Sequence, residues 1–482
     1  MTLKKILPGV KLSPKLAGLP VKGISDDSRA VVPGSIFFIR QGQGFDVFSI
    51  IKKIEKKAAV LVGKAADKGR LLPLVKNKPL ILVRDVNFCL RRAADIFYGF
   101  KVKDFVFIGI TGTKGKSTTA QFVWEFLRDK GLPAGLIGTV EYRVNDDLVR
   151  AVHTTPDHLT LRRLLNRMKL SRARYVVMEV SSHAIKQQRI AGLRFGVCAF
   201  TNLSREHLDY HKTMKDYFLT KKRFFLDNPG AKAVINIDDA HGRALAAKSI
   251  KKITYSRKTD ADIRGRLIAM DKAGLSFCLE AGPRAVLART RLVGKHNLEN
   301  ILCAAGILIA LGFNIRQIGR FIPRFSGAKG RLEKVARDVF VDYAHTHDSL
   351  RKTLAALQEV GYGKIICVFG CGGNRDHGKR PLMGKVAGRG AFYSVITSDN
   401  PRDEDPITIC RQVSRGFERK NFSLVVDRRQ AIKRGLQLKG RHAGSCLLVA
   451  GKGHEDYQII KGKKLPFNDK KVIREIIKKT GL

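Results

Sequence analysis

The chain has 482 residues, 44% of them hydrophobic and 28% charged, which is material for about three packed domains and excludes a disordered tail protein. Its 91 lysines and arginines against 42 aspartates and glutamates give a net charge of +49, spread as +12, +9, +13 and +15 over residues 1–100, 101–200, 201–330 and 331–482. So even a spread reads as a solvated basic surface rather than a nucleic-acid arm, while still favouring polyanionic ligands such as nucleotides. The longest apolar run, Ile301–Phe313, falls short of the ~18 residues that span a bilayer. Lys4, Lys5, Pro8, Lys11, Pro14 and Lys15 leave no signal-peptide core. A soluble, cytoplasmic protein without membrane insertion is expected. The eight cysteines, none in a CxxC pair, read as buried thiols of a reducing compartment.

Residues 1 to about 100 alternate short apolar strands (35–39, 58–62, 80–83) with Lys-rich connections and close with a helix-like stretch at 89–98. After a linker-like segment at 99–104, an apolar run of strand length (105–110) leads into a Gly/Thr loop. The next segment carries Ala120, Val123, Trp124 and Leu127 at i, i+3, i+4, i+7 and stops at Gly131 with Pro133 beyond. Buried strands are predicted at 175–180, 197–201 and 233–237, and a second βα series from about 326 has strands near 339–342, 365–369, 393–397 and 446–450. Such alternation means parallel α/β sheets, whose ligands sit at the carboxyl ends of the strands.

Most of the unusual polar clusters fall at those ends. Gly109-Ile-Thr-Gly-Thr-Lys-Gly-Lys-Ser-Thr118 is a Gly-rich strand-to-helix turn, which aims backbone N–H groups and a helix dipole at a phosphate. The strict GxxxxGK[ST] spacing fails, since its first glycine position is Ile110, and TGTxGKS stands instead. Lys116 can reach the β/γ-phosphates and a hydroxyl of Ser117 or Thr118 can ligate Mg²⁺. Glu179, in Met178-Glu-Val-Ser-Ser-His183, is a carboxylate at a buried strand end, costly unless paired or metal-bound. His207 and His211 flank Asp209 after another buried strand, which suits a metal or phosphate site better than a single histidine would. Thr213 and Asp216 form a T-x-x-D capping signal for a helix that carries Lys221 and Lys222. Periodicity does not say which lysine faces inward.

With Asp27-Ser28-Arg29, Gly42-x-x-x-Asp46, His153-Thr-Thr-Pro-Asp157, Gly294-Lys-His-Asn-Leu-Glu-Asn300, Gly330-Arg-Leu-Glu333, Asp342-Tyr-Ala-His345, Gly370-Cys-Gly-Gly-Asn-Arg-Asp376, Asp399-Asn-Pro-Arg402 and Gly451-Lys-Gly-His-Glu-Asp456, these clusters resemble, nearly end to end, the ATP-dependent Mur ligases of peptidoglycan synthesis. The resemblance implies a three-domain α/β architecture: a small N-terminal UDP-substrate-binding domain (1–99), a central P-loop ATPase-type parallel-sheet domain (100–326) and a Rossmann-like C-terminal domain (327–482) for the incoming amino acid. The implied reaction is ATP-dependent addition of meso-diaminopimelate to the D-Glu γ-carboxylate of UDP-MurNAc-L-Ala-D-Glu through an acyl phosphate, by a monomer using Mg²⁺. Linkers near residues 100 and 326 are the expected hinges.

Site residues follow by position. The family's carbamylated lysine lies fourteen residues after the histidine of the HLDYH motif, which selects Lys221. As a carbamate it would join Glu179 and His207 around one Mg²⁺, with Ser117 at another, and these residues with Lys116 form the implied catalytic set. Gly112, Thr113, Gly115, Lys116, Ser117 and Thr118 hold phosphates. Asn297 and Asn300 match the adenine-contacting pair, and Arg331 with Asp342 the remaining nucleotide contacts. Ser28, Thr154, Thr155, Ser181, Gln187 and Arg189 match positions holding UDP-MurNAc-dipeptide. Arg375, Asp399, Asn400, Pro401, Arg402, Gly451 and Glu455 match the diaminopimelate site. Arginines grip a distal carboxylate bidentately, and lysine as substrate would leave a guanidinium unpaired. His347, Lys114 and Asn374 depart from the residues common in the family. The alternatives are a lysine-adding or folylpolyglutamate-like ligase, which the arginine of DNPR and the muropeptide positions disfavour, and a nucleic-acid-binding protein on a ligase fold.

Overall fold

The computed structural model describes residues 1–41, 46–248 and 251–481. Gly42 of the Gly42-x-x-x-Asp46 motif lies outside them. Two compact units emerge from the packing: Met1–Phe107 with Gly131–Phe195, and Ile108–Lys130 with Gly196–Leu482.

In the first unit, strands Gly23–Ser25, Ser35–Phe38, Ala58–Lys64 and Leu80–Val83 form a wholly parallel sheet in chain order. Its apolar residues divide by the two-residue strand period. Ile36, Phe38, Val60 and Val62 pack with Leu90, Ala93 and Ala94 of helix Val86–Phe97 on one face, and Phe37, Ile39 and Leu61 pack with Ile51, Ile54 and Leu71 on the other. Burial on both faces explains why these strands read as unbroken apolar runs. The unit also carries strands Tyr175–Glu179, Ala134–Ile137, Tyr142–Val144 and Asp147–Val149 in that lateral order, the first pair parallel and the others antiparallel. Asp157 caps helix His158–Leu170, accepting from the Thr160 N–H at 2.9 Å.

In the second unit, helix Lys116–Asp129 follows the Gly/Thr loop, starting one turn earlier than Ala120. Strands Phe195–Phe200, Lys232–Asn236, Lys252–Ser256 and Ile263–Asp271 run parallel, and Gly274–Ala281 and Arg284–Thr290 extend them antiparallel. The apolar run from Ile301 lies in helix Lys295–Ala310, which is buried almost all round. A six-stranded sheet follows, ordered Glu333–Ala336, Val339–Asp342, Cys446–Ala450, Ile365–Phe369, Tyr393–Ile396, Phe422–Leu424, parallel but for its first strand. Phe340, Cys367 and Phe369 face helices His347–Glu359, Lys379–Gly390 and Pro406–Ser414. Val339, Val341, Ile366 and Val368 face helices Arg428–Arg441 and Asp469–Thr480.

An N-terminal, a central and a C-terminal sheet with helices on their faces are the expected three-domain α/β architecture. The antiparallel strands at 263–290 and the hairpin Tyr457–Ile460 with Lys463–Pro466 are additions to it. All eight cysteines are free and seven are buried, Cys89 being the half-buried one. No helix among the described residues is long and apolar enough to cross a membrane.

Candidate functional site

The Gly/Thr loop leaves strand Val106–Thr111 and enters helix Lys116–Asp129 through Gly115, whose φ of 87° is left-handed. A Cβ on Gly112 would stand 1.9 Å from Thr201 Oγ1, and one on Gly115 2.2 Å from Asn300 Oδ1, so both positions have room only for glycine. Thr113 and Lys114 donate their backbone N–H groups to the main-chain oxygen and to Oδ1 of Asn202, at 2.8 and 2.9 Å. Lys116 Nζ folds back to donate to the Gly112 and Thr113 carbonyls, both at 2.9 Å. The result is a backbone-walled turn at a helix start with a lysine on it, which is the chemistry of a phosphate cradle. Ser117 is half-buried and Thr118 buried in the helix's first turn.

Helix Met214–Leu226 begins at Thr213, whose Oγ1 accepts from the Asp216 N–H at 3.1 Å, as its T-x-x-D signal predicts. It buries Lys221 to 1% exposure and leaves Lys222 half-exposed. Lys221 Nζ donates to the Gly112 carbonyl at 3.0 Å and to Thr111 Oγ1 at 3.4 Å. Burial holds its pKa well below the ordinary lysine value, with the Lys116 charge acting the same way and Glu206 opposing. A neutral, nucleophilic amine is the form that takes up CO₂ as a carbamate. Tyr217, one turn back, ties the group together. Its hydroxyl lies 3.3 Å from Thr113 Oγ1, Lys221 Nζ stands 4.7 Å over its ring, and the rings of His207 and His211 lie 6.1 and 4.9 Å from it. His207 is exposed and has a left-handed φ of 58°. Tyr217 escapes sequence reading, although its i, i+4 spacing to Lys221 was a usable signal.

Asn297 and Asn300 lie buried on helix Lys295–Ala310 and bond each other, Asn300 Nδ2 donating to Asn297 Oδ1 at 3.1 Å. Thr119 Oγ1 donates to the Asn300 carbonyl at 3.4 Å, which joins the pair to the loop's helix. The Arg331 guanidinium lies 4.9 Å over the Tyr343 ring. Neighbouring Asp342 accepts from the Leu332 N–H at 2.6 Å and Thr353 Oγ1 at 3.2 Å. Burial raises the Asp342 pKa against the opposing pull of Arg331.

In the first unit, Glu179 is 2% exposed at the end of its strand. Its Oε1 accepts the Thr139 N–H at 2.8 Å and its Oε2 the Thr139 hydroxyl at 3.0 Å, and Thr139 Oγ1 lies 3.0 Å from Thr154 Oγ1. Thr155 Oγ1 donates to the Glu179 carbonyl at 2.8 Å and accepts the Ser181 N–H at 3.0 Å. Arg189 donates to the Thr155 carbonyl at 2.9 Å and, through Nε and Nη2, to Gln187 Oε1 at 2.9 and 2.7 Å. Thr154, Thr155, Ser181, Gln187 and Arg189 are thus one bonded group with Glu179. Thr139 is the member that sequence reading missed, though a Gly-Thr pair after a buried strand marks such positions. Ser28 sits in a short turn capped by Asp27, whose carboxylate pairs with Arg29. Among the described residues the Glu179 carboxylate meets neutral donors, and a buried carboxylate so placed suits an added cation. Among the described residues no three His, Cys, Asp or Glu side chains gather as a metal cluster.

The Asp399–Arg402 segment follows strand Tyr393–Ile396 and meets the 370–376 loop backbone to backbone. Gly373 N–H donates to the Asn400 carbonyl at 2.9 Å, and a Cβ on Gly373 would stand 1.9 Å from the Pro401 oxygen. Arg402 holds a left-handed φ of 55°, its backbone bonds Ile459 and Lys461, and its Nη1 donates to the Gly373 carbonyl at 2.7 Å. Asn400 Nδ2 donates to Glu455 Oε2 at 3.0 Å. Gly451 has a φ of 112°, and a Cβ on it would lie 2.5 Å from Asp399 Oδ2. Arg375 is exposed on the 370–376 loop. Arg380 was not foreseen. It is fully buried, its guanidinium bonds both Glu404 oxygens at 2.8 Å, and Glu404 also accepts the Asn374 N–H, so the pair clamps the two loops together.

The family model of the Mur ligase middle domain matches residues 110–308, and that of the Mur ligase glutamate ligase domain matches residues 330–453. The chain is 38% identical to the UDP-N-acetylmuramoyl-L-alanyl-D-glutamate--2,6-diaminopimelate ligase of Geobacter metallireducens, over 96% of each chain. It is 37% identical to the protein of that name from Aquifex aeolicus, over 95% of this chain and 94% of the other. A solved structure of a ligase of that name superposes with a TM-score of 0.68 at 30% identity, covering 100% of this chain and 99% of that one. The MurF ligase of Thermotoga maritima in complex with ADP shares the fold at a TM-score of 0.60 and 16% identity, covering 95% of this chain and 97% of that one.

Proposed function

The chain belongs to the Mur ligase family, an ATP-dependent ligase family, and from that premise we propose that it joins meso-diaminopimelate to the D-Glu γ-carboxylate of UDP-MurNAc-L-Ala-D-Glu in the cytoplasm. ATP is the phosphoryl donor. The γ-carboxylate oxygen attacks the γ-phosphorus, ADP leaves, and the acyl phosphate formed carries a good leaving group. The diaminopimelate amine then attacks the acyl carbon, and collapse expels phosphate and a proton and leaves the amide.

The loop from Gly112 to Thr118 holds the phosphates by backbone N–H groups, and Lys116 exchanges its carbonyl partners for phosphate oxygens, where it offsets developing charge. Asn297, Asn300, Arg331 and Asp342 hold the rest of the nucleotide. Ser117, Glu179, His207 and Lys221 as its carbamate would hold Mg²⁺, which neutralises phosphate charge when bound. Ser28, Thr154, Thr155, Ser181, Gln187 and Arg189 bind the UDP-MurNAc-dipeptide. Arg375 and Arg402 grip the distal carboxylate of diaminopimelate, Glu455 its ammonium, and Asp399, Asn400, Pro401 and Gly451 shape that pocket. We retain 1–99, 100–326 and 327–482 as the segments that carry UDP-substrate, ATP and amino acid.

The observation that carries the reading is Arg402. Its backbone is left-handed and its Nη1 donates to the Gly373 carbonyl at 2.7 Å, which fixes the guanidinium against the 370–376 loop, and a guanidinium held there supports recognition of the distal carboxylate that lysine lacks. The test is ADP release with ATP, Mg²⁺ and UDP-MurNAc-L-Ala-D-Glu, comparing meso-diaminopimelate with L-lysine. Turnover with diaminopimelate alone is expected, with Arg402→Ala losing about a hundredfold in kcat/KM for it. Equal turnover with lysine would refute the specificity, and silence with both would refute the reaction.

A further inference from the structure

Lys452 stands between Gly451 and Gly453, in a stretch that reads as a solvated loop, yet its side chain is 0% exposed. A buried ammonium is costly unless its donors are met by an anion and good acceptors. Here they are. Nζ donates to Glu455 Oε2 at 3.0 Å and to Asn400 Oδ1 at 3.2 Å, and it stands 5.5 Å from the Tyr457 ring centroid. Asn400 Nδ2 in turn donates to the same Glu455 oxygen at 3.0 Å, and the Ile459 N–H donates to Asn400 Oδ1 at 2.9 Å. Lys452, Asn400 and Glu455 therefore close a three-membered ring of hydrogen bonds. The ring joins the segment after strand Tyr393–Ile396 to the loop after strand Cys446–Ala450.

Among the described residues, the bonds that Lys452 and Asn400 give to Glu455 both end on Oε2, which leaves the lone pairs of Oε1 to a further donor. The Glu455 side chain is 17% exposed and stands at the edge of the buried ring. A carboxylate held through one oxygen by a buried cation is pre-oriented, and orientation fixed before binding is not charged against the affinity of the incoming ligand.

We propose that Lys452 is a positioning residue of the amino-acid pocket, fixing Asn400 and Glu455 so that Glu455 Oε1 receives the ammonium group of the incoming amino acid. The inference rests on the diaminopimelate reading above. Lys452 touches no substrate and acts through its two partners. Arginine, whose planar fork is longer than an ammonium, does not fit the same ring.

The experiment is steady-state ADP release from the full chain, with KM measured for each of the three substrates. Lys452→Met is expected to raise KM for meso-diaminopimelate about tenfold to a hundredfold, while kcat at saturation and KM for ATP and UDP-MurNAc-L-Ala-D-Glu stay within about threefold. Lys452→Arg is expected to rescue poorly. Adding Lys452→Met to Glu455→Gln is expected to cost little beyond Glu455→Gln alone, because both act through one carboxylate. Additive losses in the double variant, an unchanged KM for diaminopimelate, or equal rises in all three KM values with a lowered Tm would each overturn the positioning role. Wild-type protein in the same assay separates the two readings. Its failure to use diaminopimelate overturns the functional reading and this inference with it, whereas normal wild-type turnover beside an unaffected Lys452→Met overturns this inference alone.

Discussion

Lys221 Nζ donates to the carbonyl oxygen of Gly112, 3.0 Å away, so a buried amine touches a glycine of the Gly/Thr loop. The contact places two costs in one spot, a desolvated amine and the nearby charge of Lys116, and both push the amine toward its neutral form.

Lys221→Met is expected to remove activity by about a thousandfold, as loss of several kcal/mol of charge stabilisation would, without destabilising the fold. The pH dependence has a definite sign. The folded pKa lies below the unfolded value, so the unfolded chain binds more protons and wild-type stability rises with pH towards about 10.5. Melts in CO₂-depleted buffer should show wild type gaining on Lys221→Met from pH 6 to pH 9. A parallel pair of curves would contradict the burial argument, and activity restored to CO₂-depleted wild type by bicarbonate would support the carbamate.

Arg428 and Asp469 form a bidentate pair at 2.8 and 2.7 Å with both side chains 0% exposed, and Arg428 also donates to the Ala450 carbonyl at 3.1 Å. The pair anchors the last helix beneath the strand end that leads into Gly451 and Lys452. Arg428→Met is expected to cost about 3–5 kcal/mol by leaving Asp469 buried without its cation. The double variant Arg428→Met with Asp469→Leu should recover most of that loss. Urea unfolding of the three variants checks it, and a double variant no better than the single would show that the pair does more than balance charge.

Glu404 has its pKa lowered to about 2, first by its hydrogen bonds to Arg380. A depressed carboxylate stabilises the fold above its unfolded value near 4.5, and that stabilisation is lost as pH falls towards 2. Glu404→Gln should therefore lie closest to wild type at the acid end and fall furthest behind it at neutral pH, when Tm is followed from pH 7 to pH 3. The variant should also raise KM for diaminopimelate about tenfold, since the 370–376 loop loses its clamp.

The β-strands were legible wherever both faces are buried. Predicted strands at 339–342, 365–369 and 446–450 match the structure residue for residue, because an apolar run bounded by polar turns has one way to sit in a parallel sheet. The antiparallel strands at 263–290 were not legible, since exposed charged residues such as Arg266, Arg284 and Arg289 interrupt their apolar alternation. Among the candidate site residues, the glycines of the 109–118 loop and the Asp399–Arg402 segment stood out by type and spacing. Tyr217, Thr139, Arg380 and Lys452 did not, because each acts on a residue distant in sequence or one turn away.

The sequence by itself determined the family, the order of the chemical motifs and the residue types at each, since spacing along a strand–loop–helix is a local property. Only the tertiary structure decided which charges are buried. Lys221 and Lys222 are neighbours on one helix, and Lys452 lies in a Gly-Lys-Gly loop that looks solvated. The difference between them is made by what packs above: Tyr217 and the Gly112 carbonyl over Lys221, and Asn400 with Glu455 around Lys452. Desolvation depends on neighbours brought in from elsewhere in the chain, and no periodicity of the segment itself encodes them.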